Sequence, residues 1–458
     1  MKNNPKRILV LLYAITAIFL AMCLYLVYFQ LFTAPKIIGN PYNRRNYVDE
    51  TLIRRGNFYD MYGRALTHTI DDAGHLLDNP RSYAHIIGYN SEEYGKSGME
   101  RTYNSTLLGL SQDDLFGKFK DIVQGQVGND IYLTVDDDLQ LYCYDLLEGH
   151  KGAIVVLDPS TGAIRAMVSR PSFNANEINA LWEEIIEDED APLLNRASQG
   201  LYTPGSVMKV ITAVAIMESD IDQNYHDTGE QTIDGYTYFN YLEAVHGDID
   251  LQDALVHSVN TYFTKKSTEV GYALLREVAD RFYFNSAIPF ELVTSISEAY
   301  TKPDMSENEI AAAGFGQGDT LVTPLNMALA IGAIGNDGVM MRPNILQEIR
   351  SPRGVATFTS VPQMLSRVTS PSLAARLTVD LVETVNTGGA ATLSGVHVAG
   401  KTGSAENISG YSHAWFVGFA PAERPELALA IVLEEEGQTG AAAAAPLARR
   451  IFQYMLSE

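Results

Sequence analysis

An uncharged run of 25 residues, 8–32, most restricts what this chain can become. As a helix it is long enough to cross a hydrocarbon core of about 30 Å, and spanning removes it from any soluble core. Lys2, Lys6 and Arg7 precede it, so the positive-inside tendency keeps residues 1–7 in the cytoplasm and sends everything after Phe32 outside. The run is longer than the apolar region of a cleaved signal peptide and no Ala-x-Ala site follows, so residues 8–32 are expected to stay as a single-pass membrane anchor. Cys23 lies inside it behind Met22, too large for a lipoprotein cleavage site. Only Cys143 remains outside, so no internal disulfide is expected.

With 46% of 458 residues hydrophobic, the remainder is ample for two or three domains. A formal charge of −23 argues against nucleic acid as a partner. Residues 33–149 are polar, with strand, turn and strand expected over 54–66 and a loop entering a helix over 94–100. No acid pair or ligand cluster stands out there, so this segment reads as a pedestal. The texture changes over residues 150–458. Residues 152–157 and 163–168, joined by Asp158-Pro159-Ser160-Thr161-Gly162, predict a β-hairpin. Residues 210–333 read mainly helical, with breaks at 229–235 and 314–318, and Ser370-Pro371 opens a helix closed at 386–389. Strands return at 396–405, 413–420 and 427–433, before an amphipathic helix at 446–456. Strand-rich flanks around a helical middle predict an α/β fold. One sheet is built from both ends of the segment, covered by helices, with a helical lobe inserted.

The chemistry of this body centres on Thr203-Pro204-Gly205-Ser206-Val207-Met208-Lys209, running into apolar residues 210–217. Pro204 suits a first helical position and Thr203 a cap, which predicts a buried helix with Ser206 in its first turn. First-turn N–H groups lack intrahelical partners, so the Ser206 N–H would face a developing oxyanion at the positive end of the helix dipole. Residues three apart share a helix face, which sets the Lys209 amine beside the Ser206 hydroxyl. Burial among Met208, Val210 and their neighbours would lower the lysine pKa and make it a candidate base. Serine and lysine are common residues, and a capped helix start that happens to carry both fits the same spacing.

Two further segments complete a set. Ser258-Val259-Asn260 falls in a helix or loop of the lobe, and Lys401-Thr402-Gly403-Ser404 on the strand beginning at residue 396. Gly400 and Gly403 let another backbone approach that strand closely. An extended peptide could add along it, with the Ser404 N–H as a second oxyanion donor opposite Ser206. Lys401 would offer positive charge, and Thr402 a hydroxyl, to a substrate carboxylate. The ordered set Ser-x-x-Lys, Ser-x-Asn, Lys-Thr-Gly is that of penicillin-binding proteins and class A β-lactamases.

Around these motifs the chain resembles class B penicillin-binding proteins, the monofunctional peptidoglycan D,D-transpeptidases. Residues 151–159, Leu194-Asn195-Arg196-Ala197, the Ser206 segment, Gly314-Phe315-Gly316-Gln317-Gly318, 400–406 and 413–421 carry the likeness to the transpeptidase domain. Residues 55–66 and 95–110 resemble the pedestal of short, penicillin-binding protein A-like members. The resemblance implies a serine β-lactamase-like transpeptidase fold, an antiparallel sheet flanked by helices with an inserted all-helical lobe, behind a small pedestal and one transmembrane helix. It implies Ser206 as the acylated nucleophile, Lys209 as its base, Ser258 and Asn260 as relay and orienting groups, and Lys401, Thr402, Gly403 and Ser404 as the substrate-binding strand. It further implies cross-linking of D-Ala-D-Ala stem peptides, covalent inhibition by β-lactams, and no metal or cofactor. The pedestal leaves too little chain for a glycan-polymerising domain, so a membrane glycosyltransferase is the expected partner. Gly316-Gln317-Gly318 reads as a turn shaping the cleft floor. His257 and His413 read as structural, because no Gly-x-Ser-x-Gly elbow accompanies them.

Hydrolysis by a D,D-carboxypeptidase or β-lactamase is the nearest rival, and a penicillin sensor or wall-complex scaffold is the rival outside catalysis. A soluble β-lactamase needs neither anchor nor pedestal, and Ser-Val-Asn departs from the Ser-Asp-Asn of class A. A sensor needs a signalling domain, for which the residues before Ile8 leave no room. A scaffold would be signalled by a missing motif residue, and none is missing.

Overall fold

A computed structural model describes residues 5–29, 33, 53–70, 74–110, 127–405 and 410–456. The chain divides into two compact units, Met1–Ile53 and Arg54–Glu458. In the first, Pro5–Tyr28 is a helix of 24 residues whose described side chains from Leu9 onward are mostly exposed. Residues 5–8 and Leu11 contribute no described side chain, and among the described residues no helix is long and apolar enough to cross a membrane. The expected span 8–32 runs past this helix to residues 30–32, outside the described residues, as do residues 1–4 of the expected cytoplasmic tip.

The second unit is organised on a five-stranded antiparallel sheet. Its order is Ala399–Ala405, His413–Ala420, Leu427–Leu433, Gly152–Leu157, Ile164–Arg170, so both ends of the segment meet in one sheet as the hydropathy pattern predicts. Side chains alternate between faces along a strand, and here both faces are covered. Val155, Trp415, Val417 and Ala430 pack with the helices Lys209–Glu218 and Pro324–Gly335. Ile154, Val156, Phe416 and Ile431 pack with Asp137–Leu146 and Ala444–Leu456. Double-sided burial is why Gly152–Leu157 and Leu427–Leu433 read as unbroken apolar runs.

The inserted lobe holds helices Leu251–Val256, Asn260–Val270, Tyr272–Arg281 and Glu307–Gly314. It is not all helical, which corrects the expectation. Tyr225–Asp227 pairs with Gly247–Ile249, and Glu230–Ile233 with Tyr236–Phe239, in two small antiparallel sheets. The second is a two-residue hairpin in which Asp234 (φ 43°) and Gly235 (φ 82°) are both left-handed, the geometry an Asp-Gly pair favours.

Around the pedestal, Phe58–Tyr59 pairs in parallel with Asp130–Leu133, which pairs with Leu346–Arg350 and through it with Ala356–Thr359. The expected boundary at 149/150 thus lies inside one unit whose second sheet borrows a hairpin from far along the chain. Residues 34–52, 71–73 and 111–126 of the expected pedestal are outside the described residues. One charged cluster here escaped sequence reading: buried Glu100 accepts from Arg55 Nε (3.1 Å) and Nη2 (2.5 Å) and lies 2.5 Å from His75 Nδ1. Burial alone would raise its pKa, but the Arg55 charge and the His75 contact outweigh that and hold it at about 2.

Candidate active site

Ser206 sits in a 3₁₀ turn, Gly205–Met208, and the α-helix starts only at Lys209. The expected Thr203 cap is absent. Pro204 precedes the turn with φ −77°, no side chain caps it, and the Thr203 carbonyl instead accepts a bond from Trp415 Nε1 at 3.0 Å. Tertiary contacts replace the cap. Gly205 is left-handed (φ 55°), its N–H donates to Gly316 O at 2.9 Å, and a Cβ on it would meet Ser404 O at 2.8 Å. Gly316 (φ 82°) leaves only 2.1 Å between a would-be Cβ and Gly205 O, so the Gly316-Gln317-Gly318 turn braces the serine turn from below. Gly403 lies against Pro204 O and Val207 N, where a Cβ would stand 2.9 and 3.2 Å away. The serine turn therefore rests directly on the strand Ala399–Ala405, one of the sheet's two edge strands.

Lys209 is fully buried, and its amine does not bond to Ser206. It reaches across to the second motif, 2.7 Å from Ser258 O, 2.7 Å from Asn260 Oδ1 and 3.2 Å from Ser258 Oγ. Ser258 is left-handed (φ 55°) in the turn between Leu251–Val256 and Asn260–Val270, which throws its carbonyl and hydroxyl toward the lysine. Lys401, also buried, donates to Ser258 Oγ at 3.0 Å and to Thr402 O at 3.3 Å. Burial, then repulsion from Lys401, pushes the Lys209 pKa well below that of an ordinary lysine. Burial brings Lys401 down to about 8. The Lys209 amine donates to all three of these oxygens, the two carbonyl-type acceptors and the Ser258 hydroxyl.

The remaining expected residues fall on the rim. Thr402 is half-buried, and Ser404 is exposed with its Oγ accepting from Gly440 N at 3.1 Å. Gly440 went unnoticed in the sequence; a Cβ there would lie 2.3 Å from both Gly403 O and Trp415 O, so only glycine lets the chain pass so close to the strand pair. His257 stacks on His246 with ring centroids 5.3 Å apart, and His413 accepts from Glu435 N at 3.2 Å, burial lowering its pKa. Neither hydrogen-bonds to the serine or the lysines. Arg196 of the Leu-Asn-Arg-Ala segment is buried, bonded to Glu434, Asp190 O and Ala191 O. Among the described residues no group of three or more His, Cys, Asp or Glu side chains could hold a metal.

A Ser-x-x-Lys turn laid on the edge strand of a helix-covered antiparallel sheet, facing a second lysine and a Ser-x-Asn turn, defines a serine acyl-transfer enzyme of the penicillin-recognising fold. Residues 152–453 match the penicillin binding protein transpeptidase domain, and residues 74–130 the penicillin binding protein A dimerisation domain. The chain belongs to the penicillin-binding transpeptidase family. It is 31% identical to the peptidoglycan D,D-transpeptidase PbpA of Mycolicibacterium smegmatis over 94% of each chain. It is 32% identical to that of Mycobacterium tuberculosis, over 93% of this chain and 94% of the relative. Among solved structures it is similar to penicillin-binding protein A from M. tuberculosis as the imipenem acyl-enzyme complex, with TM-score 0.83 and 30% identity over 89% of this chain and 100% of that one. A D,D-transpeptidase domain from Eggerthella lenta matches with TM-score 0.80 and 33% identity, over 88% and 98% of the two chains.

Proposed function

We propose that Ser206 is the nucleophile, and Lys209 the base, of a peptidoglycan D,D-transpeptidase reaction on D-Ala-D-Ala stem peptides. D,D-transpeptidation is the activity of the family to which the chain belongs. What supports the assignment within this chain is the buried, pKa-depressed Lys209 amine, which stands 3.2 Å from Ser258 Oγ.

Ser206 Oγ attacks the carbonyl carbon of the penultimate D-Ala, and its proton passes to Lys209 through the Ser258 hydroxyl. The N–H groups of Ser206 and Ser404 receive the oxyanion as the carbonyl becomes tetrahedral. The carbon–nitrogen bond then breaks, the departing D-Ala amine takes the proton back along the same relay, and an ester on Ser206 remains. A stem-peptide amine attacks that ester, loses its proton to the relay and regenerates Ser206. Until the last D-Ala departs, Lys401 and Thr402 hold its carboxylate, while Asn260 orients the donor backbone and Gly403 lets the peptide lie along the strand. β-Lactams enter the same path and stop at the ester.

The 25-residue uncharged run and its Lys2, Lys6, Arg7 flank support a single-pass anchor with the catalytic unit outside the cell membrane. Substrate strands then come from a membrane glycosyltransferase partner. The test is intact mass and peptide mapping after penicillin: one covalent equivalent on Ser206 is expected, and an adduct elsewhere overturns the assignment. Fractionation of cells tests the anchor, and recovery of the full-length chain in the soluble fraction would remove it.

A further inference from the structure

Asn260 Oδ1 can meet Lys209 only if the asparagine is itself held, and its own helix supplies nothing for that. The residue before it, Val259, makes no side-chain cap to the helix Asn260–Val270. The hold comes from outside. The Thr261 N–H donates to Asn240 Oδ1 at 3.1 Å, so Asn240 caps this helix from a segment about twenty residues earlier. Asn260 Nδ2 donates to the carbonyl of Phe239, the neighbour of Asn240, at 3.1 Å. Both ends of the asparagine therefore depend on where residues 239 and 240 lie.

The hairpin pairs Phe239 with Glu230, Asn240 N–H donates to Gly229 O at 3.1 Å and Asn240 Nδ2 to Ala244 O at 2.9 Å, and Asp227 completes this hold. Asp227 closes the strand Tyr225–Asp227, is completely buried, and has no ion-pair partner among the described residues. Its carboxylate instead collects neutral donors: Thr261 Oγ1 at 2.6 Å, His246 N at 2.8 Å, Gly229 N at 3.1 Å, and Asn240 Nδ2 at 3.0 and 2.9 Å to its two oxygens. Because Asp227 only accepts, it sets the Asn240 amide with its nitrogen inward, which leaves Oδ1 toward Thr261. A buried anion is expensive unless hydrogen-bonded, and its donors come from Gly229, Asn240, His246 and Thr261, which it ties together. One of these donors, Thr261, immediately follows Asn260.

We propose that Asp227 is a positioning residue for acyl transfer, acting through Asn240 and Thr261 to hold Asn260 against the Lys209 amine. The link is geometric: Asp227 bonds to none of Ser206, Lys209, Ser258 or Lys401, and the carboxylate strand is left untouched. Asp227 therefore acts chiefly on the chemical step, because the carboxylate capture by Lys401 and Thr402 does not run through it. The proposal rests on the reading of Ser206 and Lys209 given above.

The experiment separates penicillin acylation of the full-length protein into the pre-acylation dissociation constant and the acylation rate constant, each followed against pH. Asp227→Asn keeps the volume but turns a donor on Thr261 or Asn240. A misplaced reacting geometry lowers the rate by about 10²-fold, with the dissociation constant within a few-fold of wild type and the acid limb of the rate profile displaced. Thr261→Val should reproduce the loss and Thr261→Ser should restore the rate. This pair carries the test if Asp227→Asn does not fold. A folded Asp227→Asn or Thr261→Val protein with wild-type acylation rate and pH profile overturns the proposal. Equal loss of capture and rate in both, with a lowered melting temperature and no rescue by Thr261→Ser, also overturns it by making Asp227 merely structural. If the wild type itself is not acylated at Ser206, it is the reading of the site that fails.

Discussion

Lys209 and Lys401 converge on one atom: their amines stand 3.2 and 3.0 Å from Ser258 Oγ. Two buried amines sharing one hydroxyl repel each other when charged, and after burial this repulsion from Lys401 is what pushes the Lys209 pKa well below the ordinary lysine value. Ser258 Oγ accepts from both amines, the place that the proposed relay requires.

Replacing Ser258 should separate strain from chemistry. Ser258→Ala keeps the left-handed backbone and strips both amines of an acceptor, costing about 1–3 kcal/mol. Ser258→Gly removes a strain of about 1–2 kcal/mol and should melt higher than the alanine variant. Both should acylate about 10²-fold more slowly or worse. Thermal denaturation and stopped-flow acylation are the measurements, and a wild-type rate in either variant would refute the relay.

Lys209→Met should give no covalent adduct with penicillin by intact mass, while melting near the wild-type temperature. Methionine fills similar volume in this fully buried place without a desolvated amine. Normal labelling would show that another group is the base.

The lysines also set the pH response. Lys401 has a folded pKa of about 8, against about 10.4 for an exposed lysine. Between those values the unfolded chain binds more protons than the folded one, so its contribution to stability rises with pH across that window and its burial penalty is full below it. Lys401→Met should flatten this slope in melting temperatures taken from pH 7.5 to 10, a range of about that window. Ligand capture runs the other way. Affinity for the penicillin carboxylate should fall above about pH 8, by up to about tenfold per unit, as Lys401 loses its proton. An affinity flat to pH 10, about two units further, would exclude Lys401 as the carboxylate's cation.

Gly316→Ala and Gly318→Ala form a contrasting pair. Both positions are left-handed, but an alanine Cβ at 316 would press to 2.1 Å from Gly205 O, whereas at 318 the nearest atom lies 3.4 Å away. Gly318→Ala should cost about 1 kcal/mol of backbone strain. Gly316→Ala should cost more than the roughly 3 kcal/mol ceiling of such strain and slow acylation as well, because the displaced backbone carries Ser206. Comparable melting and labelling of the two would contradict the bracing role.

The acyl-enzyme should persist. No carboxylate among the described residues hydrogen-bonds to Ser206, Lys209, Ser258 or Lys401, so none is placed to activate a deacylating water. A fluorescent penicillin should remain attached through many minutes of chase. Rapid loss with multiple turnover would instead indicate a β-lactamase.

Much of this fold was legible in the residues because its causes are local. Strands buried on both faces must be apolar throughout, as at Leu427–Leu433, and Ser370-Pro371 with Gly389 marks a helix whose Ser370 side chain caps Leu373 N and whose Gly389 is left-handed. The three motifs follow from residue type and spacing. The Asp234-Gly235 hairpin was equally readable, yet it was missed among helical surroundings. What no local rule reaches is the set of partners each motif residue meets. Lys209 and Ser258 are 49 residues apart, and Lys401 and Ser258 143, so their convergence is decided by how sheet and lobe pack. Packing also moved Lys209 away from the adjacent Ser206 hydroxyl, replaced the Thr203 cap with strand contacts, and recruited Leu346–Arg350 to the pedestal sheet. Helical spacing can bring two residues to one face, but side-chain direction, burial and charge state are settled only when distant segments remove water from between them.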